Sequence, residues 1–195
     1  MARTETRRRM IESATRLFQQ HGYHGVSWRG LVEAAGTPWG SISHHFPGGK
    51  EELGVAAIEL GSDFLAGVIE QCFADAETPD AAVRQWFRAT ADFVRASEFR
   101  AGCPVAIVAL ETAPDSEALT AACRAAFDRW EGIVTEKLAD AGVRRGRARE
   151  VAGLALTLLE GALLLARVHA STAPLDRAGM HAAEIVRGVL GDEGS

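Results

Sequence analysis

The spacing of apolar residues constrains the fold of this chain more than any other feature of its sequence. Apolar residues recur every three or four positions, as Ile11, Ala14 and Phe18 do near the start. This period places them on one face of an α-helix, and no stretch shows the sustained two-residue alternation of a half-buried strand. We therefore predict an all-α protein of about nine helices, three short ones at the front and longer ones behind.

Glycine and proline residues divide the first 50 residues into three short helical segments. Gly22 and Gly25 end the first segment. Ser27 is a suitable N-cap for a second helix, which ends before Gly36. Pro38 suits the first turn of a third helix. A long helix is expected to follow from about residue 50.

The charge of the chain is unevenly distributed. The formal net charge is −5, but residues 1–50 hold seven basic and three acidic side chains, a balance of +4, which leaves −9 for residues 51–195. A basic head can bind phosphate, although a basic first helix is often only a solvated face, and an acidic body stays away from a polyanion. We predict two domains, a small head over residues 1–50 and a larger helical domain over residues 51–195.

The composition argues against several other classes of protein. Hydrophobic residues make up 47% and charged residues 24% of the 195 residues, as in water-soluble globular proteins. Cys72, Cys103 and Cys123 lie far apart, which argues against a disulfide framework or a zinc site and predicts a cytoplasmic protein. The most apolar run, residues 151–166, contains Glu160 and suits a buried helix or a dimer face better than a membrane span.

Residues 26–53 carry the most specific signal, with the sequence VSWRGLVEAAGTPWGSISHHFPGGKEEL. Two short helices joined by a tight glycine turn are typical of a helix-turn-helix. Leu31, Ala35, Ile42 and Phe46 fall where the two helices would meet. The outer side of the second helix is polar and suits a major groove and its flanking phosphates. An ordinary helical hairpin in an all-α core would show the same pattern.

This stretch resembles the DNA-binding region of the TetR family of bacterial regulators, whose usual pattern ends in Gly-Thr-Leu-Tyr-x-Tyr-Phe and then Lys-Glu-x-Leu. Two segments, HHFPGGKEEL at residues 44–53 and GCPVAIVALE at residues 102–111, resemble the branch of the repressors LmrA and YxaF. The resemblance implies a three-helix helix-turn-helix head on a larger ligand-binding and dimerisation domain. It also implies a bacterial cytoplasmic repressor that binds a palindromic DNA operator as a homodimer.

The resemblance further implies which residues face DNA. They are Ser27, Arg29, Thr37, Trp39, Gly40, Ser41, Ser43, His44, His45 and Lys50. Trp39 stands where the family commonly has a basic residue, and Ser43 stands where it commonly has a phosphate-contacting tyrosine. These departures concern the operator sequence and the affinity, and packing of Trp39 on thymine methyl groups is an alternative to a phosphate contact.

The larger domain offers many rings and aliphatic side chains but few polar groups, which favours a hydrophobic or aromatic inducer. The drugs and flavonoids that LmrA and YxaF respond to point to the same class of ligand. The candidate pocket residues are Trp86, Phe87, Phe93, Cys103, Glu111, Phe127, Trp130, Glu160 and His169. The rings would equally suit a core, and Glu160 would equally suit an ion pair or a dimer edge.

In the family, the last two long helices pair across a two-fold axis, and we expect the same of residues 144–170 and 174–190. The residues that suit this dimer face are Leu154, Leu158, Gly161, Leu165, Ile185 and Val189. The two recognition helices would then enter successive major grooves roughly 34–36 Å apart.

No catalytic or metal site is predicted. The sequence has no nucleophile–base motif and no complete phosphate-binding loop, and no carboxylate or thiolate is spaced to complete a metal site with His21 and His24. We therefore predict a protein that is not an enzyme and needs no cofactor. The alternatives are a helical small-molecule-binding protein, an activator without repressor activity, and a small helical enzyme that uses Glu160 or His169.

Overall fold

The computed structural model describes residues 2–192, apart from the side chains of Ala2, Arg3, Ser41 and Asp192. This part of the chain forms nine α-helices and no strand, which confirms the predicted all-α class. In chain order the helices are α1 (Ala2–His21), α2 (Trp28–Ala35), α3 (Ser41–His45), α4 (Gly49–Asp75), α5 (Pro79–Ala96), α6 (Pro104–Thr112), α7 (Glu117–Asp140), α8 (Arg145–His169) and α9 (Ala173–Asp192).

The short helices begin and end largely where the cap residues predict. The Ser27 hydroxyl accepts a hydrogen bond from the Gly30 N–H at 3.1 Å and caps α2. The helix ends at Gly36, whose φ of 59° lies in the left-handed region that favours glycine. Helix α3 begins at Ser41 and not near Pro38, because Trp39 and Gly40 form a turn before it, with Gly40 as the N-cap residue.

The chain divides into two compact units whose limits differ from those of the predicted domains. The first unit comprises residues 1–63 and 103–126, and the second comprises residues 64–102 and 127–195. The predicted boundary at residue 50 falls near the start of α4, which continues as one helix to Asp75. Local signals mark the turn before α4, but they do not reveal that α6 and the first part of α7 pack with the head.

The first unit is built around α1, which contacts both α2 and α6. Phe18 of α1, Leu31 of α2 and Leu53 of α4 are buried in its core. Helices α4 and α6 approach closely at Gly61. A Cβ atom at this position would lie only 2.9 Å from Cγ of Pro104. This packing fixes α6 beside the helices of the head within the same unit.

The second unit is held together by α9, which packs against α5 and α8. Trp86, Phe87 and Trp130 are among its largest fully buried side chains. Helix α9 comes close to α5 at Gly179, where a Cβ atom would lie 2.6 Å from Cβ of Phe87. A glycine at this position therefore permits the helix contact on which the core of the unit depends.

Helix α8 is long and apolar enough to cross a membrane by length and composition, with a mean hydropathy of 1.8 in its most apolar window. Core helices of water-soluble proteins share this length and composition, and 44% of the most apolar part of α8 is buried within the chain. Its remaining apolar positions form an exposed face that includes Leu154 and Leu165.

Candidate functional site

Helices α2 and α3 form a helix-turn-helix whose inner residues are the ones that the sequence predicts. Leu31, Ala35 and Phe46 are buried, and Ile42 is half-buried. The small Ala35 side chain lies at the end of α2, where the chain turns towards α3. The two short helices are thus held by apolar contacts on one side, and the other side is open to solvent.

The open side of α3 and of the turn before it carries an indole, a hydroxyl and an imidazole. Trp39 is 62% exposed, and Gly40, Ser43 and His44 are also exposed. The ring of His44 makes an edge contact with the half-buried ring of His45, with 5.1 Å between the centroids. Such donor, acceptor and apolar groups can contact base edges and thymine methyl groups in a major groove.

The N-terminus of α2 forms a second exposed group beside this surface. Ser27 and Arg29 are both exposed, and the Ser27 hydroxyl is engaged in capping the helix. The first N–H groups of a helix and a nearby guanidinium together favour an anion such as a phosphate. This geometry fits the roles that the resemblance implies for these two residues.

Thr37, predicted to line the recognition surface, is instead a buried residue of the turn. Its hydroxyl has no hydrogen-bond partner among the described residues, and its backbone N–H donates to the Val32 carbonyl at 3.1 Å. The reason is the left-handed conformation of Gly36, which turns the next residue back over the end of α2. The neighbouring Ser41 belongs to α3, but its side chain lies outside the described part of the structure.

Lys50 is predicted to contact a phosphate, but in the structure its ammonium is bound within the first unit. The Nζ atom donates to the Tyr23 carbonyl at 2.5 Å and lies 4.5 Å from the centre of the Tyr23 ring. Partial burial lowers the pKa of Lys50 from its ordinary value, and the negative charge of Glu111 opposes this shift. The contact attaches the start of α4 to the turn that follows α1.

Most of the basic charge in the head is also engaged in internal contacts. Arg8 pairs with Glu5 and Glu12 inside α1, and Arg7 lies 3.7 Å from the carboxylate of Glu52. Arg9 donates to the Ala35 and Gly36 carbonyls at 2.5 and 3.1 Å. These partners lie far along the sequence from Arg7 and Arg9, so no local pattern reveals them. Arg29 is therefore the exposed guanidinium of the helix-turn-helix that best suits a phosphate.

Glu111, predicted to line a ligand pocket, lies in the first unit and contacts the head. Its carboxylate accepts a hydrogen bond from the His24 backbone N–H at 2.8 Å. Gly22 leaves room for this carboxylate, because a Cβ atom there would overlap the Glu111 oxygen at 1.8 Å. The carboxylate is thus used to hold the turn after α1, and this role replaces the predicted ligand contact in the structure described here.

The other predicted pocket residues do not share one environment. In the second unit, Trp86, Phe87 and Trp130 are core side chains, while Phe127 makes an edge contact with Trp130 at 5.5 Å between centroids. Three of the remaining predicted residues are less enclosed: Phe93 and His169 are exposed, and Glu160 is half-buried. The fourth, Cys103, lies in the first unit, where it is the N-cap residue of α6.

Two surface grooves of the second unit are lined by residues other than those predicted. One, of about 230 Å³, lies between α5 and α9 and contains Asp80, Arg84 and Arg187. The other, of about 530 Å³, lies between α7 and α8. Ion pairs of Arg145 with Glu136 and of Arg149 with Glu131 cross this larger groove. Both grooves are highly charged, so neither matches the apolar pocket expected from the sequence.

Helix α8 presents most of the predicted dimer face to solvent. Leu154, Gly161 and Leu165 are exposed and Leu158 is half-buried, a spacing that forms one stripe along the helix. Leu164 and Val168 extend this exposed apolar face. On α9, the outcome is different for the two predicted residues: Ile185 is half-buried, and Val189 is buried in the core of its own chain. Val189 is therefore assigned to the core.

Cysteine and histidine residues form no reactive or metal-binding cluster in the described part of the chain. Cys72, Cys103 and Cys123 are free thiols and are buried. Burial raises the pKa of the Cys123 thiol to about 11. No group of three His, Cys, Asp or Glu side chains among the described residues is arranged to hold a metal ion.

Comparison with known sequences identifies both halves of the chain. Residues 10–57 match the model of the bacterial regulatory proteins of the TetR family, and residues 79–181 match the C-terminal domain of LmrA/YxaF-like transcriptional regulators. The transcriptional regulator LmrA of Bacillus subtilis is 31% identical over 90% of this chain and 93% of its own. The repressor DhaR of a Mycobacterium species is 25% identical over 91% of this chain and 90% of its own.

Solved structures show the same fold over nearly the whole chain. A TetR regulator from Chloroflexus aurantiacus superimposes with a TM-score of 0.81 at 26% identity, covering 95% of this chain and 96% of that one. A second from Rhodobacter sphaeroides has a TM-score of 0.82 at 22% identity, covering 91% and 97%. The chain therefore belongs to the TetR family of bacterial transcriptional regulators, in its LmrA/YxaF-like branch.

Proposed function

We propose that this chain is a repressor that binds a palindromic DNA operator as a homodimer and leaves it when a hydrophobic or aromatic ligand binds. The observation that carries the proposal is the exposed surface of Trp39, Gly40, Ser43 and His44, held on the outer side of a helix-turn-helix with a buried inner side. Two of its relatives, DhaR and AcnR, are repressors, and this supports repression over activation as the role of this chain. Its place of action is the bacterial cytoplasm, where the DNA lies.

Arg29 and the N-terminus of α2 supply the phosphate contacts that fix the head on the duplex, and α3 supplies the base contacts. Phosphate contacts position a protein on DNA without reading its sequence, whereas groups at the base edges discriminate between sequences. Trp39 and His44 are the two large exposed side chains at the recognition helix, so they carry most of the sequence preference.

The exposed stripe of α8 supports the proposed dimer. Leu154 and Leu165 are 43% and 49% exposed, and Leu164 and Val168 on the same helix are more exposed still. A contiguous apolar face of this kind is a common mark of a protein–protein interface. Two copies paired through α8 and α9 present two recognition helices to the two halves of a palindrome.

The proposed inducer is a hydrophobic or aromatic molecule that enters among the rings of the second unit. Trp86, Phe87 and Trp130 are buried, so binding there requires these side chains to move. An inducer releases DNA only if it binds one dimer state more tightly than the other, by a differential that is commonly about 1–3 kcal/mol. Glu160, half-buried on α8, is the polar group expected to orient such a ligand.

A salt-dependent gel shift tests the proposal. The full chain is mixed with its own upstream DNA and with a scrambled duplex of equal length, and the affinity of each is measured over a series of salt concentrations. A repressor prefers the upstream DNA and binds it with the stoichiometry of one dimer per site. Equal affinity for the two duplexes would instead favour a helical small-molecule-binding protein that lacks operator recognition.

A second titration separates a repressor from an activator and tests the inducer. A panel of planar aromatic compounds is added to the protein–DNA complex, while calorimetry measures binding to the free protein. Release of DNA by a compound that binds supports an inducible repressor, and transcription in vitro then gives the sign of regulation. Ligand binding without any loss of DNA affinity would leave a binding site but no switch.

A further inference from the structure

Two arginines of α1 contact the two ends of the segment that carries α3. Arg9 holds the carbonyls of Ala35 and Gly36, which precede the turn into α3. Arg7 lies over the ring of Phe46, which directly follows α3, at 5.0 Å. We propose that Arg7 and Arg9 are positioning residues, which orient α3 and thereby increase sequence discrimination without touching DNA. This inference rests on the proposed function of α3 as the recognition helix.

Arg9 meets the end of α2 at groups that have no partner within the helix. The last carbonyls of an α-helix lack an intrahelical donor and form the negative end of its dipole, so a guanidinium is favoured there. The approach is close, because a Cβ atom at Gly36 would lie 2.7 Å from Nη2 of Arg9. The glycine at position 36 therefore serves both the left-handed turn and the arginine that holds it.

Arg7 acts at the other end of α3 through an aromatic ring and a carboxylate. Phe46 is buried below its guanidinium, and the Glu52 carboxylate lies 3.7 Å away. The same carboxylate accepts a hydrogen bond from the Gly48 N–H at 2.9 Å. Arg7 thus connects α1 to the turn after α3 and to the first turn of α4.

Helix α3 depends on such contacts because it is short. It has five residues, and its N-cap residue is Gly40, which has no side chain that could cap the helix. A helix of this length is unstable in isolation, so its direction is set by what holds its ends. Phe46 and Ile42 provide apolar contact on one side. Arg9 adds a directional contact before the turn that leads into α3, and Arg7 adds one at the residue that follows α3.

Arg8 provides a matched control for this interpretation. It lies between Arg7 and Arg9 in the sequence, but among the described residues its ion pairs are with Glu5 and Glu12 of its own helix. Removing Arg8 takes away the same charge from the same part of α1 and leaves the contacts of Arg7 with Phe46 and of Arg9 with Ala35 and Gly36 in place. Arg29, the proposed phosphate contact, provides a second control, because its removal shows what the loss of a phosphate contact does to DNA binding.

The experiment measures binding of the dimer of the whole 195-residue chain to two duplexes over a series of KCl concentrations. One duplex is selected from random DNA by the wild-type protein, and the other is a scrambled sequence of equal length. We expect Arg9→Ala to weaken binding to the selected duplex about tenfold, a loss typical of one mismatched base pair, and to change binding to the scrambled duplex little. The salt slope should stay at the wild-type value, because no phosphate contact is removed.

Arg7→Ala should show the same pattern, and Arg9→Lys should restore part of the discrimination, because an ammonium also donates to carbonyls. Arg8→Ala should match the wild type on both duplexes. Arg29→Ala should weaken binding to both duplexes and reduce the salt slope by about one unit per subunit, which is about two units for the dimer. Amide hydrogen exchange of residues 37–46, measured without DNA, reports directly on how firmly α3 is held. The exchange should be faster in Arg9→Ala than in the wild type, and unchanged in Arg8→Ala.

The two ways of failing are distinguishable. A slope reduced by about one unit per subunit in Arg9→Ala, with equal losses on both duplexes, would make Arg9 a phosphate contact. That result would overturn this inference and leave the proposed function standing. Wild-type discrimination in both Arg7→Ala and Arg9→Ala would also overturn it. A wild-type protein that selects no sequence from random DNA would instead overturn the proposed function, and this inference with it. Circular dichroism at the assay temperature shows whether each variant is folded. If Arg9→Ala is not folded, the discrimination of Arg9→Lys is compared with that of the wild type instead.

Discussion

The carboxylate of Glu111 in α6 accepts a hydrogen bond from the backbone N–H of His24 at 2.8 Å, although the two residues are 87 positions apart in the sequence. The Glu111 carbonyl also lies 3.2 Å from Nε2 of the His24 ring. Lys50 donates to the neighbouring Tyr23 carbonyl. The turn after α1 is therefore held from two sides within the first unit, by the end of α6 and by the start of α4.

We predict that Glu111→Ala lowers the free energy of unfolding by about 1 kcal/mol, because the His24 N–H loses its acceptor at a partly exposed site. Glu111→Gln should lose less, since its amide oxygen can accept the same hydrogen bond. Urea denaturation followed by tryptophan fluorescence measures both. Glu59→Ala, at an exposed position of α4, is the control and should be neutral. Equal stability of the Ala variant and the wild type would show that the contact contributes nothing.

Lys50 gives a prediction in which the sequence and the structure disagree. A phosphate contact would make Lys50→Ala reduce the salt slope of DNA binding by about one unit per subunit, which is about two units for the dimer. The ammonium bound to Tyr23 predicts an unchanged slope and a less stable head instead. Lys50→Met, which keeps most of the apolar stem, should behave in the same way. A reduced slope in both variants would show that the ammonium leaves Tyr23 for the DNA backbone.

Trp39 and His44 are predicted to determine base preference. Replacing either with alanine should change the sequences that are recovered by selection from random DNA, because each removes an exposed group from the recognition surface. Glu33→Ala, on the exposed side of α2, serves as the control and should recover the wild-type sequences. If all three variants select the same sequences as the wild type, recognition depends on DNA shape and not on these side chains.

The exposed stripe of α8 predicts an oligomeric state that a single substitution can change. Leu165→Arg and Leu158→Arg should yield monomers that bind DNA weakly, because a charged group in an apolar interface is costly. Sedimentation at micromolar concentration measures the mass. Leu110→Arg is the matched control, since Leu110 is an 83% exposed leucine of α6 outside the proposed interface. A monomeric wild type would contradict the proposed dimer.

Burial of the cysteines predicts slow reaction with thiol reagents. With a pKa of about 11, the Cys123 thiol is almost wholly protonated at pH 8, and its 3% exposure also limits access. A disulfide reagent should therefore label native protein slowly and label three thiols quickly in denaturant. Rapid labelling of the native protein, with Cys123 identified by mass spectrometry, would show that the packing around Cys123 opens readily.

The sequence by itself determined the helical class, most of the helix limits and the inner face of the helix-turn-helix. Apolar spacing places Leu31 and Phe46 on inner faces. The hydroxyl of Ser27 suits the start of a helix, and Gly36, which lacks a Cβ atom, suits the left-handed conformation at its end. These are local properties, since each depends on neighbours within about one helical turn. The family resemblance rests on the same contiguous segments.

The tertiary structure alone decided which partners the polar and charged residues have. Arg9 meets Ala35 26 positions away, Lys50 meets Tyr23 27 positions away, and Glu111 meets His24 87 positions away. A periodic pattern tells which side of a helix is apolar, but it does not tell which remote backbone group lies opposite a side chain. For this reason two residues expected to face a phosphate and a ligand, Lys50 and Glu111, instead hold the turn that follows α1.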